Sequence, residues 1–376
     1  MPLNRVLHII DTGGAGGAET VLINILGNLP GRRWRSRTVI PQEGWLHNEL
    51  RAQDEDLAII PSRGSVDVRF LASLVREIRV FRPALIHCHL LTSSVYATLA
   101  SSLSNRVPLV CTFHGRSDVK PNDRFLGIKT RILSRERNAI VYVSRDLRHS
   151  LETDLGIPSS LGTVIHNGIR LSQGQEASHL RGELGLGDGA PLVGCVGNFR
   201  TPKDYPNLLR AARLVLNRRP DAHFVVVGED SGPLADDLRK MRDQLDLAPR
   251  VHFLGFRKDV SALMTEFDIF ASSSASEGLP LATLEALQLG LPSVLTRVGG
   301  VPEIVEDGVT GLLVPPKNPE ALARGILTLL DDRNRAIQLG SAARMDVGRR
   351  FSLDSMVGKY ERLYEGMISR FPVSYA

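Results

Sequence analysis

The sequence predicts an α/β protein made of two doubly wound parallel sheets, and three observations carry that prediction. Short β-branched runs alternate with amphipathic stretches along the chain, a pattern that implies parallel strands covered by helices on both faces. The alternation breaks once, at the polar, glycine-rich segment LSQGQEASHLRGELGLGDG, residues 171–189, and then resumes. At 376 residues the chain is also too long for one ordinary core.

The first half reads as seven strands: RVLHII, SRTVIP, LAIIP, ALIHCH, PLVCTFHG, AIVYVS and GTVIHNG. Helical periodicity separates them, as in AETVLINILGNL (18–29) and VRFLASLVREIRVF (68–81). The second half repeats the pattern with PLVGCVGNF, AHFVVVGE, RVHFLGF, FDIFASSS, PSVLTRV and GLLVPP, and with helical stretches such as PNLLRAARLVLNRR. The expected domains are therefore 1–170 and 190–353, joined by the 171–189 linker. The amphipathic stretch 354–376 packs back on one of them, with the first as the expected partner. Sheets of this kind bind ligands at the C-terminal ends of their strands, so the cleft between the halves is the expected site.

Composition narrows the function classes. Hydrophobic residues make up 43% and charged residues 23%, ordinary for a soluble globular chain. Aromatics are only 5%, which argues against a base-stacking nucleic-acid platform. The net charge of +5 suits an anionic ligand, a nucleic acid or a membrane surface and selects none of them. Cys88, Cys111 and Cys195 each sit in an apolar run and read as buried, reduced positions of a cytoplasmic protein. No apolar run has the length of a membrane span, and VLHII is too short for a signal-peptide core.

The segment SEGLPLATLEALQLGLPSV, residues 276–294, carries the most chemistry. Pro280 suits a first helical turn, so a helix should begin near 279–281 and run to Gly290, with Glu277 in the loop before it and Glu285 one to two turns inside. The free N–H groups of Leu281, Ala282 and Thr283 would then form an anion site at the helix start. A diphosphate fits there, with Glu285 on a ribose diol and Glu277 on a hydroxylated group beyond. A surface helix with one loop glutamate is the plainer reading of the same spacing.

The longer stretch SEGLPLATLEALQLGLPSVLTRVGGVPEIV, followed by EDGVTGLLVPP, resembles the signature of the retaining GT-B glycosyltransferases of the large family 4, the group 1 glycosyltransferases. The resemblance covers nearly the whole chain and is most specific in this block. It implies an N-terminal acceptor-binding domain and a C-terminal nucleotide-sugar-binding domain, both Rossmann-like. It also implies that Glu277 contacts the donor sugar and Glu285 the ribose.

Other segments take their roles from the same resemblance. DTGGAGGAE, 11–19, follows the first strand and opens a helix; its glycines supply close-approach amides, and Gly16 and Gly17 are the choices for contact with the donor. A dinucleotide loop is the rival reading, but its third glycine falls on Glu19. In VGNFRTPKDY, Lys203 matches the family lysine that neutralises a leaving diphosphate. Asn198 stands where the family usually has arginine, with Arg200 two residues on. Phe256, at the end of RVHFLGF, joins the donor set. His114 of CTFHGR falls on the family histidine near the anomeric centre, and His89 of IHCHLL is assigned to the acceptor pocket.

Three further readings complete the expectation. His87 and His89 share a strand face, but no acidic or cysteine partner has convincing spacing, and no metal is expected. DED at 54–56 formally matches the Asp-x-Asp of metal-dependent transferases and reads as a solvated turn. The basic, apolar-interleaved segment 120–140 is either a helix lying on anionic lipid at the inner face of the cytoplasmic membrane or a solvated face.

The function expected from all this is metal-independent transfer of a hexose, from a UDP-hexose first or GDP-mannose second, to a glycan or lipid-linked acceptor. The nucleotide sugar is a co-substrate, no cofactor is expected, and nucleic acid is not a partner. The rivals are a non-catalytic nucleotide-sugar-binding protein, which the Asn198 departure suggests, and a nucleotide-sugar epimerase or phosphorylase.

Overall fold

The structure, a computed structural model, describes residues 3–62, 66–119, 122–170, 178–187 and 189–375. The chain forms two compact units, residues 1–168 with 353–376 and residues 169–352. The first holds strands β1 (Asn4–Ile10), β2 (Trp34–Ile40), β3 (Leu57–Ile59), β4 (Leu85–His89), β5 (Leu109–Phe113), β6 (Asn138–Tyr142) and β7 (Gly162–Val164). The second holds β8 (Leu192–Val196), β9 (His223–Val227), β10 (Val251–Phe253), β11 (Ile269–Ser272), β12 (Ser293–Thr296) and β13 (Leu312–Val314).

All described pairings between these strands are parallel, in the orders β3-β2-β1-β4-β5-β6-β7 and β10-β9-β8-β11-β12-β13. Each chain trace starts in the middle, winds outward, then crosses back to the other side of its starting strand. The reversal lies between β1 and β4 in one unit and between β8 and β11 in the other. At such a reversal the loops leaving neighbouring strands diverge and leave room for a ligand. Central strands are buried on both faces because helices cover them; all five residues of β4 are buried, two of them histidines. The three cysteines are free and buried.

Helix Val68–Phe81 illustrates the local rules. Asp67 Oδ1 accepts from the Arg69 and Phe70 N–H groups at 3.0 and 2.9 Å, and Phe70, Leu74, Ile78 and Phe81 make its buried stripe. Part of the expected linker is described. Residues 171–177 and 188 lie outside the described residues, but Leu180–Glu183 is a helical turn of the second unit with Leu180 fully buried. The Glu266 carboxylate accepts from the Leu180 and Arg181 N–H groups, both at 2.8 Å, and ties that turn down.

The C-terminal helix Leu353–Arg370 belongs to the first unit. Its buried Tyr360 and Tyr364 reach the Thr112 hydroxyl (3.3 Å) and His87 Nδ1 (2.6 Å), and Trp34 Nε1 donates to Glu361 at 2.8 Å. Asp54 of the DED turn has a left-handed φ of 58°, and Asp56 pairs with Arg37. Lys120 and Pro121 of the basic segment lie outside the described residues; the rest contains helix Leu126–Leu133. No described helix is long and apolar enough to cross a membrane.

One contact positions the glutamate helix. Helix Arg333–Arg350 crosses the end of helix Leu281–Gln288, and a Cβ at Gly340 would lie 2.0 Å from the Gly290 carbonyl oxygen. Backbone cannot yield there as a side chain could. Gly340→Ala is expected to destabilise the second unit by about 2 kcal/mol, lowering Tm by about 5 °C in a thermal melt.

Candidate active site

In the second unit the loops leaving β8 and β11 lock together. The Ala275 N–H donates to the Pro202 carbonyl at 2.8 Å, and Ser273 Oγ donates to the Lys203 carbonyl at 2.9 Å. Across that junction Lys203 Nζ donates to Glu277 Oε1 at 2.7 Å, and Ser274 Oγ donates to the same oxygen at 2.7 Å. The two charged side chains keep 26% and 11% of their exposure, so the pair is held yet reachable. The loop after β12 presses on it from behind. Gly299 has φ 51°, and a Cβ there would lie 1.8 Å from the Glu277 carbonyl oxygen, so only glycine fits.

Helix Leu281–Gln288 begins beside this pair in sequence. Pro280 sits at its cap with φ −71° and ψ 119°, one residue ahead of the first-turn position expected for it. No side chain caps the helix start, which leaves its positive end open to an anion. Leu281 and Ala282 are half-buried and the Thr283 side chain is in the core. Glu285 is half-buried one turn in, and burial pushes its carboxyl up to about 7.

The cations and aromatic divide into different tasks. Arg200 is exposed at the start of the short helical turn Thr201–Lys203. Asn198 Oδ1 accepts the Glu229 N–H at 3.0 Å, bracing the β8 loop to the β9 loop. That commits the side-chain oxygen of a residue expected to meet the donor. Phe256 stands on the loop after β10 with 40% exposure, an aromatic face in solvent at a strand C-terminal end.

In the first unit the predicted residues also cluster at strand ends. His89 Nδ1 and His114 Nε2 lie 3.0 Å apart, and the rings stack at 5.2 Å. His89 is fully buried, so it backs His114 rather than lining an open pocket. Burial pulls His114 down to about 3, and burial followed by neighbouring histidines pushes His89 well below its usual range; both are neutral imidazoles. The His114 and Gly115 N–H groups both donate to Asp118 Oδ2, at 2.6 and 3.2 Å. Desolvation outweighs those bonds and raises the Asp118 carboxyl to about 7.

The glycine loop carries a feature its sequence did not advertise. Helix Gly17–Leu26 starts after Gly16, and the buried Glu19 carboxylate folds back until Oε2 would lie 2.5 Å from a Cβ at Gly16. Gly17 has open space where a side chain would be. Asp11 adds a second carboxyl, raised by burial first and by Glu19 last. Two carboxyl groups beside the amides offset the positive potential expected of this loop.

Sequence reasoning missed Asp118 and His8. Asp118 lies three residues past the His-Gly pair, in a turn too short to carry periodicity. His8 pairs with His87 across β1 and β4, a register that only the fold reveals.

Comparison with known proteins agrees with this layout. The glycosyl transferases group 1 model matches residues 177–346, and the glycosyltransferase family 4 model matches residues 15–173. The chain is 27% identical over 285 residues to the N-acetyl-alpha-D-glucosaminyl L-malate synthase of Bacillus anthracis, covering 74% of each chain. It is 25% identical over 317 residues to the UDP-Gal:alpha-D-GlcNAc-diphosphoundecaprenol alpha-1,3-galactosyltransferase of Escherichia coli, covering 80% of each. Among solved structures, Anabaena HepE in complex with UDP and glucose superposes with a TM-score of 0.87 at 23% identity, over 96% of this chain and all of that one. The fold is GT-B, and the two family models run between them from residue 15 to residue 346: this chain belongs to glycosyltransferase family 4, the group 1 glycosyl transferases, and works in glycoconjugate synthesis.

Proposed function

We propose that the chain moves a hexose from a nucleoside diphosphate sugar to a hydroxyl of a glycan or lipid-linked acceptor, retaining anomeric configuration, with no divalent ion at the diphosphate. UDP-hexose is the first choice of donor and GDP-mannose the second. The observation that carries the reading is the Lys203–Glu277 pair at the β8–β11 reversal, followed by an uncapped helix start. A fixed cation and a dipole end together supply what a departing diphosphate needs. The UDP-Gal donor and diphosphoundecaprenol-linked acceptor in the Escherichia coli relative's name favour the same pairing.

In this scheme residues 169–352 hold the donor and the first unit holds the acceptor. Lys203 and Arg200 neutralise the leaving diphosphate, Glu277 orients the sugar, and Glu285 takes the ribose diol. His114, neutral and braced by Asp118 through its backbone, offers one hydrogen bond to the donor sugar. The transition state has oxocarbenium character, and the leaving phosphate accepts the proton of the attacking hydroxyl. Peripheral contact with anionic lipid belongs to the same reading: Arg124 and Arg131 are exposed on either side in sequence of Ile128, which is 62% exposed.

Incubation with UDP-glucose, UDP-galactose, UDP-N-acetylglucosamine and GDP-mannose, each with lipid extract, tests the proposal. A glycosylated product whose new bond keeps the donor's anomeric form is expected, at an unchanged rate in EDTA. Isomerised donor without transfer would replace it with the epimerase reading, and an EDTA loss restored by Mg²⁺ or Mn²⁺ would remove the ion-free scheme. Phe256 is assigned to the nucleobase face, so Phe256→Ala should weaken UDP binding about tenfold by calorimetry.

A further inference from the structure

Three histidines in the first unit touch no part of the proposed donor site, and of these only His89 has a link to it, through His114. His8 and His87 are direct partners in the β1–β4 register, and His89 follows two residues later on the same strand face. All three are fully buried. One ring nitrogen from each can be chosen so that the three lie within 4.8 Å of one another. Neither nitrogen of His8 has a hydrogen-bond partner, and neither does His89 Nε2. A buried imidazole with unused lone pairs is costly unless something occupies them.

We infer that His8, His87 and His89 form a site for a divalent transition-metal ion, Zn²⁺ by the softness of three neutral imidazoles with no carboxylate among them. His89 is already arranged as a ligand: Nδ1 meets His114 and Nε2 is free. His87 holds Tyr364 on Nδ1 and Thr112 on Nε2, at 2.6 and 2.8 Å. It gives up one of these bonds to the ion and keeps the other as its orienting partner. Zn–N bonds of about 2.0–2.1 Å set nitrogens roughly 3.4 Å apart in a tetrahedron, so the rings close in by about 1 Å. A water completes the tetrahedron, and the ion ties β1 to β4; it is not the diphosphate's partner, and its test is independent of the transferase reading.

The experiment uses the full chain without a histidine tag. Metal-free protein is titrated with Co²⁺, followed by visible absorption, and then with Zn²⁺. One equivalent of Co²⁺ should give tetrahedral d–d bands that Zn²⁺ abolishes, with Tm rising on saturation. His8→Leu should weaken Co²⁺ binding at least 100-fold while circular dichroism is unchanged, and His149→Ala, an exposed position, should leave it intact. Folded wild-type chain that takes up no stoichiometric Co²⁺ or Zn²⁺ would overturn the site without recourse to any variant. So would a His8→Leu chain that binds as wild type does.

Discussion

Lys203→Ala lowers kcat/KM for glycosyl transfer by about 10³, or about 4 kcal/mol, while the chain stays folded by circular dichroism. The size follows from what the ammonium does. It is the one cation hydrogen-bonded to Glu277 among the described residues, and the β8–β11 loop junction fixes where it stands. Arg200 is exposed and, among the described residues, held by no contact like the β8–β11 junction described for Lys203, so it cannot replace a preorganised charge. Glu277→Ala should cost a similar factor. The double variant should be no worse than the weaker single, because each side chain is positioned by the other. Multiplying losses in the double variant would show two independent roles and sink the paired mechanism.

Glu285→Gln stabilises the chain at pH 8 and weakens donor binding. The Glu285 carboxyl stands near 4.5 when unfolded and about 7 when folded, so the folded chain holds a proton that the unfolded chain releases between those values. Stability from this group is fully present below about 4.5 and is lost as pH rises through about 7. Above that range burial of the charge costs about 3 kcal/mol, which glutamine avoids. The variant should therefore melt higher than wild type at pH 8 and about the same at pH 4.5. UDP affinity should fall at least tenfold, since the amide is a poorer acceptor for a diol. A variant with wild-type donor affinity would remove Glu285 from the site. Keeping a destabilising carboxylate is the trade expected of a binding residue.

Much of this layout was legible in the sequence, and the reasons are physical. Every strand expected from β-branched runs is present, because a strand covered on both faces is mostly apolar along its length. The Glu277–Glu285 spacing was readable because proline and a helix start punctuate it. What stayed hidden depends on register and on loop packing. Nothing local says that His8 meets His87, that Asn198 braces Glu229, or that Glu19 folds over Gly16. The anchoring of residues 180–181 was hidden for a related reason: Glu266 recruits Leu180 and Arg181 from more than eighty residues away, a partner invisible to composition.

The discontinuous make-up of the first unit dictates an order of assembly on the ribosome. Residues 169–352 emerge as one uninterrupted piece and can complete their own sheet. The seven-stranded sheet, though its strands are synthesised earlier, must wait for Tyr360 and Tyr364 before His87 and Thr112 gain their hydroxyl partners. A released chain truncated after residue 352 should thus protect residues 169–352 from protease while its earlier-made half is still cut.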